Sequence, residues 1–158
     1  ILKEKGLEFE MIFAGGGKKL ESFQELAEAE DVADCVQFMG FVPDDELKAL
    51  YADADIFALP SAGEGFGLVY LEAMAHGLPC VGTFDGASPE VVLHEQTGLC
   101  VPYGEIQSLA AALENLLLSP KLRESYGERG RHRYQEEFTT SAFKKRLLEI
   151  FGKLAKKQ

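Results

Sequence analysis

Apolar residues along this chain fall into two alternating patterns: short unbroken runs, and longer stretches in which they recur every third or fourth position. The first run, Phe9 to Ala14 (FEMIFA), is closed by Gly15-Gly16-Gly17 and reads as a buried strand ending in a tight turn. Leu20, Phe23, Leu26 and Ala27 follow at helical spacing, and Cys35 to Phe38 gives a second strand stopped by Gly40. Pro43 and Asp44 open a helix through Leu47, Leu50 and Tyr51, and Ile56 to Leu59 is a third strand stopped by Pro60. Leu68, Leu71, Glu72 and Ala75 lie on a helix ended by Gly77, and Pro79 to Thr83 is a fourth strand. A short helix over Glu90 to Leu93 and a last strand over Thr97 to Val101 complete the alternation. Beyond it the pattern is wholly helical: Ile106, Leu109, Ala110, Leu113, Leu116 and Leu117 form one stripe, Leu122 and Tyr126 begin another helix, and Phe143, Leu147, Ile150, Phe151 and Leu154 mark a third. Strands alternating with amphipathic helices predict an α/β fold, a Rossmann-like parallel sheet with helices on both faces. Ligands of such a sheet bind at the carboxyl ends of its strands.

Composition narrows the function classes. The length of 158 residues suits one domain, and 46% hydrophobic residues suit a folded one. A formal charge of −10 opposes nonspecific binding to nucleic acid or to an anionic membrane. No apolar run is long enough for a transmembrane segment, and Ile1 to Glu10 lacks the order of a secretory signal, so the expected location is cytoplasmic. Cys35, Cys80 and Cys100 have no metal-ligand spacing and are expected as buried, reduced thiols. His76, His94 and His132 lack any mutual spacing for a metal and any nucleophile partner, which leaves structural or surface roles.

The stretch richest in chemistry is Pro60 to Thr83, PSAGEGFGLVYLEAMAHGLPCVGT, where a strand runs into a glycine-bearing loop that opens a helix. Gly65 and Gly67 let backbone approach a ligand, and the helix starting near Leu68 directs its unpaired amides and positive dipole end to the same point. A diphosphate would be stabilised there. Glu64 and Glu72 flank the point with carboxylates able to accept hydrogen bonds from polyol hydroxyls; Glu72, among Leu71, Ala73, Met74 and Ala75, is expected to be largely buried.

The segment Glu64-Gly-Phe-Gly-Leu-Val-Tyr-Leu-Glu72, with Leu59-Pro60-Ser61 before it and Ala73-Met74-Ala75, Gly77 and Pro79 after it, resembles the signature of the large family of retaining GT-B glycosyltransferases that includes sucrose synthase and bacterial mannosyltransferases. The resemblance extends to Gly40 through Leu47, Tyr51 through Ile56, Gly86 through Val92 and Gly98 through Pro102. It implies the C-terminal half of a GT-B fold, with residues 1–158 as a nucleotide-sugar (donor) binding domain. It assigns Glu64, the catalytic candidate, to hydroxyls of the donor sugar and Glu72 to the nucleotide ribose. The amides around Gly65, Phe66, Gly67 and Leu68 would hold the diphosphate, and Val42 would pack on the base with Asp44 beside it. It implies no metal and no cofactor beyond the nucleoside diphosphate sugar, which is a substrate. Its partners would be that donor, the acceptor domain of a parent protein and a sugar or glycan acceptor.

Two departures from the family pattern carry expectations of their own. The family's strand bearing an Arg and a Lys that clamp the diphosphate has no counterpart, and Ile1 to Gly6 reads as the tail of the helix that would follow it. The domain is therefore expected to lack its first strand and the N-terminal acceptor domain, and to be inactive in isolation; the alternative is a non-catalytic nucleotide-sugar-binding or assembly module. Lys18 and Lys19 read as a solvated pair. Asp85 stands where the family often has Gly and would alter contacts to the donor sugar.

Overall fold

The computed structural model describes residues 1–63 and 65–155, with side chains through 153. The elements run β1 (Met11–Ala14), α1 (Leu20–Ala29), β2 (Val36–Gly40), α2 (Asp44–Asp53), β3 (Phe57–Ala58), α3 (Leu68–Ala75), β4 (Cys80–Thr83), α4 (Ser88–Val91), β5 (Gly98–Val101), α5 (Ile106–Leu118), α6 (Pro120–Arg133), a π-helical segment Tyr134–Phe138, and α7 (Thr140–Ala155). Among the described residues the ladders β1–β2, β3–β4 and β4–β5 are parallel, as short apolar strands joined through helices require, with one isolated antiparallel bridge between Gly15 and Gly40. The chain divides into two compact units, Ile1–Asp53 and Ala54–Gln158.

In the first unit β1 pairs with β2, Phe13 stacking on Phe38 with ring centroids 5.1 Å apart. The register shifts between Phe13 and Ala14, where Gly40 takes a left-handed φ of 64° and ends β2. Ala27 of α1 and Tyr51 of α2 are its buried apolar residues. The run from Phe9 to Ala14 was expected as a buried strand, yet Ile12 is 39% and Phe13 49% exposed. An apolar run reports strand formation; cover has to come from a neighbour. Residues 2–6 form turns, with the amide of Lys5 donating to the Ile1 carbonyl at 3.1 Å.

In the second unit the strand order is β3-β4-β5. All residues of β4 and β5 are buried, and Tyr70, Met74, Val81, Val91, Val92 and Leu116 are among the most deeply enclosed side chains. Helix α6 enters this core through a glycine: a Cβ on Gly127 would sit 1.9 Å from the Gly77 carbonyl oxygen, so α6 touches the end of α3 backbone to backbone. Ser119 caps α6, its hydroxyl accepting from the Leu122 amide at 3.3 Å, and Pro120 takes the first helical position. α4 starts two residues earlier than expected, at Ser88, with Pro89 in its first turn. The apolar stripe of α7 was expected to cover the sheet, but Phe143, Leu147, Ile150 and Phe151 are exposed. Helical periodicity identifies an apolar face without naming what it packs against. Among the described residues no helix is long and apolar enough to cross a membrane.

Cys80 and Cys100 are buried in β4 and β5, and Cys35 is half-buried just before β2; all three are free. Burial pushes the Cys100 thiol up to about 11 and raises that of Cys80 still further, so neither is a nucleophile at neutral pH.

Candidate functional site

The loop from Leu59 to Gly67 leaves the carboxyl end of β3 and delivers the chain to the start of α3. Its entry is fixed by β4: the Leu59 amide donates to the Val81 carbonyl at 2.9 Å, and the Thr83 hydroxyl donates to the Ser61 carbonyl at 2.7 Å. Ser61 in turn starts the turn of the loop, accepting on Oγ from the Gly63 amide at 3.2 Å. Its exit is Gly67, the N-cap of α3, in a left-handed conformation with φ 75°. Only glycine takes that conformation without strain, and a Cβ there would lie 2.7 Å from the Tyr70 ring. Gly67 thus has a structural reason beyond the close approach of a ligand. Gly65 does not: a Cβ on it would meet nothing within 4 Å, which leaves open space over its backbone.

Helix α3 begins with no side-chain cap and no acidic residue in its first turn. First-turn amides of a helix lack intrahelical acceptors, and the dipole gives that end positive character. Phe66 and Leu68 are 50% and 63% exposed beside this terminus. Glu72 lies four residues after Leu68 and so shares its face. It was expected to be largely buried; it is exposed, because Tyr70, Leu71, Ala73 and Met74 take the inward positions of the helix. The fold therefore gathers Gly65, Phe66, Gly67, Leu68 and Glu72 at one end and one face of α3. Glu64 lies outside the described residues.

The other two candidates belong to the first unit. Val42 is half-buried in the loop after β2, and Asp44 is exposed as the first residue of α2, where with Asp45 and Glu46 it complements the helix dipole. Like the α3 loop in its own unit, they sit beyond the carboxyl end of a parallel strand.

Several neighbours carried no local signal. Phe66 meets Phe138 of the π-helical segment edge-on, centroids 6.5 Å apart, and the Arg133 guanidinium lies 5.1 Å from the Phe138 ring centroid. Arg133 also donates to the Glu90 and Val91 carbonyls at 2.8 and 3.3 Å and pairs with Glu137 at 2.6 Å. Asp85 holds two loops together, its carboxylate accepting from the Tyr103 amide at 3.4 Å and its carbonyl from the Thr83 hydroxyl at 3.3 Å.

Each histidine has a local contact. His76 Nδ1 is 2.8 Å from the Glu72 carbonyl, His94 Nδ1 accepts from the Cys100 amide at 3.0 Å, and His132 pairs with Glu136 at 3.2 Å. Lys18 and Lys19 are exposed. Among the described residues no group of three or more His, Cys, Asp or Glu is arranged to hold a metal ion.

Comparison with known proteins gives this geometry a context. The chain is 40% identical over 129 residues to the GDP-mannose-dependent alpha-(1-6)-phosphatidylinositol monomannoside mannosyltransferase of Mycolicibacterium smegmatis, a match covering 77% of this chain and 34% of that protein. It is 36% identical over 170 residues to the amylovoran biosynthesis glycosyltransferase AmsK of Erwinia amylovora, covering 98% of this chain and 40% of that one. Among solved structures, sucrose-phosphate synthase from Thermosynechococcus elongatus superimposes with a TM-score of 0.79 at 28% identity, over 93% of this chain and 38% of that one. The chain thus spans between a third and two fifths of the length of these relatives. Its Rossmann-like α/β fold is that of GT-B glycosyltransferases. With the family model described as "Glycosyl transferases group 1" matching residues 1–133, the chain belongs to that glycosyltransferase family.

Proposed function

We infer that the chain is the donor-binding half of a retaining glycosyltransferase, acting within a longer protein to transfer a sugar from a nucleoside diphosphate sugar to an acceptor hydroxyl. One observation carries the reading: an open glycine loop meets an uncapped, acid-free helix N-terminus, with an exposed carboxylate one turn along the same face. The amides of residues 65–68 hold the diphosphate, Glu72 accepts from the ribose hydroxyls, and Glu64 accepts from the donor sugar. Val42 packs on the base, with Asp44 beside it. Rate acceleration comes from stabilising the leaving diphosphate by helix-terminal amides without a metal. The acceptor and the remaining positive charge come from another domain, in the cytoplasm.

Titration calorimetry with GDP, UDP and ADP, and with their sugars, tests this. The name of the mycobacterial relative makes GDP-mannose the first donor to try. Glu72→Ala weakens every nucleoside diphosphate by roughly 10- to 150-fold, the loss of a charge-assisted hydrogen bond worth about 1.5–3 kcal/mol. Glu64→Gln spares the bare nucleotide and weakens the nucleotide-sugar. Affinity unchanged by Glu72→Ala removes that residue from the site, and wild-type protein that binds none of these ligands overturns the reading.

A further inference from the structure

Tyr70 stands out because it is the most polar member of the inward face of α3 and has no exposed surface. Its hydroxyl donates to the Leu59 carbonyl at 2.5 Å and accepts from the Ser88 hydroxyl of α4 at 3.1 Å. Its ring packs edge-on against Phe57 of β3, centroids 5.6 Å apart. Two glycines make room for it from different elements: a Cβ on Gly67 would press on the ring at 2.7 Å, and one on Gly82 would meet the hydroxyl at 3.0 Å. Its own amide donates to the Gly67 carbonyl at 3.0 Å.

These contacts reach both ends of one loop. Leu59 is where the chain leaves β3, and Gly67 is where it enters α3. A phenylalanine would fill the same volume, so the hydroxyl has to be accounted for separately: a buried hydroxyl is costly unless paired, and this one is paired as both donor and acceptor. What it is paired with is the carbonyl at the root of the loop.

We propose that Tyr70 is a positioning residue for donor binding: its hydroxyl, oriented by Ser88, locks the entry of the 59–67 loop against its exit and so sets the geometry of the amides at residues 65–68. The consequence for ligands rests on the donor-binding reading above; the locking of the loop does not. Tyr70 touches no ligand in this scheme. Its effect passes through the backbone, and placement errors of an ångström are costly in such sites.

The test compares wild-type, Tyr70→Phe, Ser88→Ala and the double variant in the full-length protein, by hydrogen–deuterium exchange and by calorimetric titration with GDP and UDP. Tyr70→Phe speeds exchange in peptides covering residues 59–69 by about 2- to 13-fold, the equivalent of one neutral hydrogen bond, and leaves α5 unchanged. The tighter-binding nucleotide weakens by a similar factor. Ser88→Ala gives a smaller change of the same kind, and the double variant is no worse than Tyr70→Phe because both substitutions break one chain of bonds. Equal acceleration of the loop and of α5 would mean a purely structural role and overturn the proposal, as would a loosened loop with unaltered affinity. If wild-type binds neither nucleotide, the affinity arm is read with ADP and the nucleotide-sugars instead; if it binds none of these, the donor-binding reading fails, and the exchange pattern alone then decides whether Tyr70 locks the loop. Should Tyr70→Phe not fold, Ser88→Ala carries the same two readouts.

Discussion

The two units are built from the same kind of sequence, short apolar strands and amphipathic helices, but they bury it to very different depths. In the second unit β4 is the middle strand of three and is buried at every residue. In the first, β1 and β2 form a pair without a middle strand, and Ile12 to Ala14 are exposed. Local pattern decides which segments become strands; position in the sheet and cover from helices decide how much each contributes to stability. The second unit therefore supplies most of the hydrophobic stabilisation, and the loop and helix of the candidate site are mounted on it.

The contrast is most easily broken at the core. Leu116→Ala removes a fully buried side chain from α5 and is expected to cost about 2–5 kcal/mol in chemical denaturation. Phe13→Ala in β1 removes a larger side chain that is already half exposed, and roughly 1.5–2.5 kcal/mol is expected, half the usual loss for a buried aromatic. A Phe13→Ala loss of about 3 kcal/mol or more, that of a fully buried aromatic, would erase the difference between the units.

Glycines sharpen the same comparison at a smaller scale. A Cβ on Gly98 of β5 would lie 2.0 Å from the Cys80 carbonyl oxygen and 2.9 Å from the Val92 side chain, so Gly98→Ala has to move backbone. A loss of about 1–3 kcal/mol in denaturant midpoint analysis is expected. Gly16 in the first unit would place a Cβ 3.7 Å from the Phe41 amide nitrogen, an ordinary contact, and Gly16→Ala is expected within about 0.5 kcal/mol of wild-type. Equal effects at the two positions would show that the tight packing at Gly98 relaxes freely.

Much of this architecture was legible in the chain. Periodicity located the strands and the long helices, and Gly40, Gly77 and Pro120 sit at the element ends where backbone chemistry puts them. The glycine loop and its helix were legible too, because Gly65, Gly67 and Glu72 are neighbours in sequence. Glu72 was misjudged in depth: counting apolar neighbours along a helix ignores that a residue four positions from an exposed Leu68 shares its face. The Tyr70 lock was illegible since its partners lie eleven residues before it and eighteen after. The π-helical segment over Tyr134–Phe138 had no signal in YQEEF, and nothing local to Gly127 and Gly130 inside α6 marks them as the points where that helix meets Gly77 and Met74.

The smallest expected effect lies in the first unit, where one exposed lysine joins two turns. Lys3 Nζ donates to the Asp34 carboxylate at 2.8 Å and to the Asp31 carbonyl. The hydrogen bond from Lys3 holds the Asp34 carboxyl below its ordinary value, and the same bond raises the Lys3 ammonium above its own. The signs define a window. Asp34, depressed on folding, stabilises at pH values above its unfolded pKa and loses that contribution as pH falls through the folded one. Lys3, raised on folding, contributes below its unfolded pKa and loses the contribution as pH rises through the folded one. The pair is therefore intact across the neutral range and fails at both extremes. Both groups are solvent-exposed, so salt screens the interaction and its share of stability is small. Carboxyl titration followed by NMR is the sensitive measurement: Lys3→Met returns Asp34 towards its ordinary value, and added salt moves the wild-type in the same direction. An Asp34 midpoint unaffected by Lys3→Met would mean that the bond does not persist in solution, leaving the first unit with even less to hold it than its two strands and two helices imply.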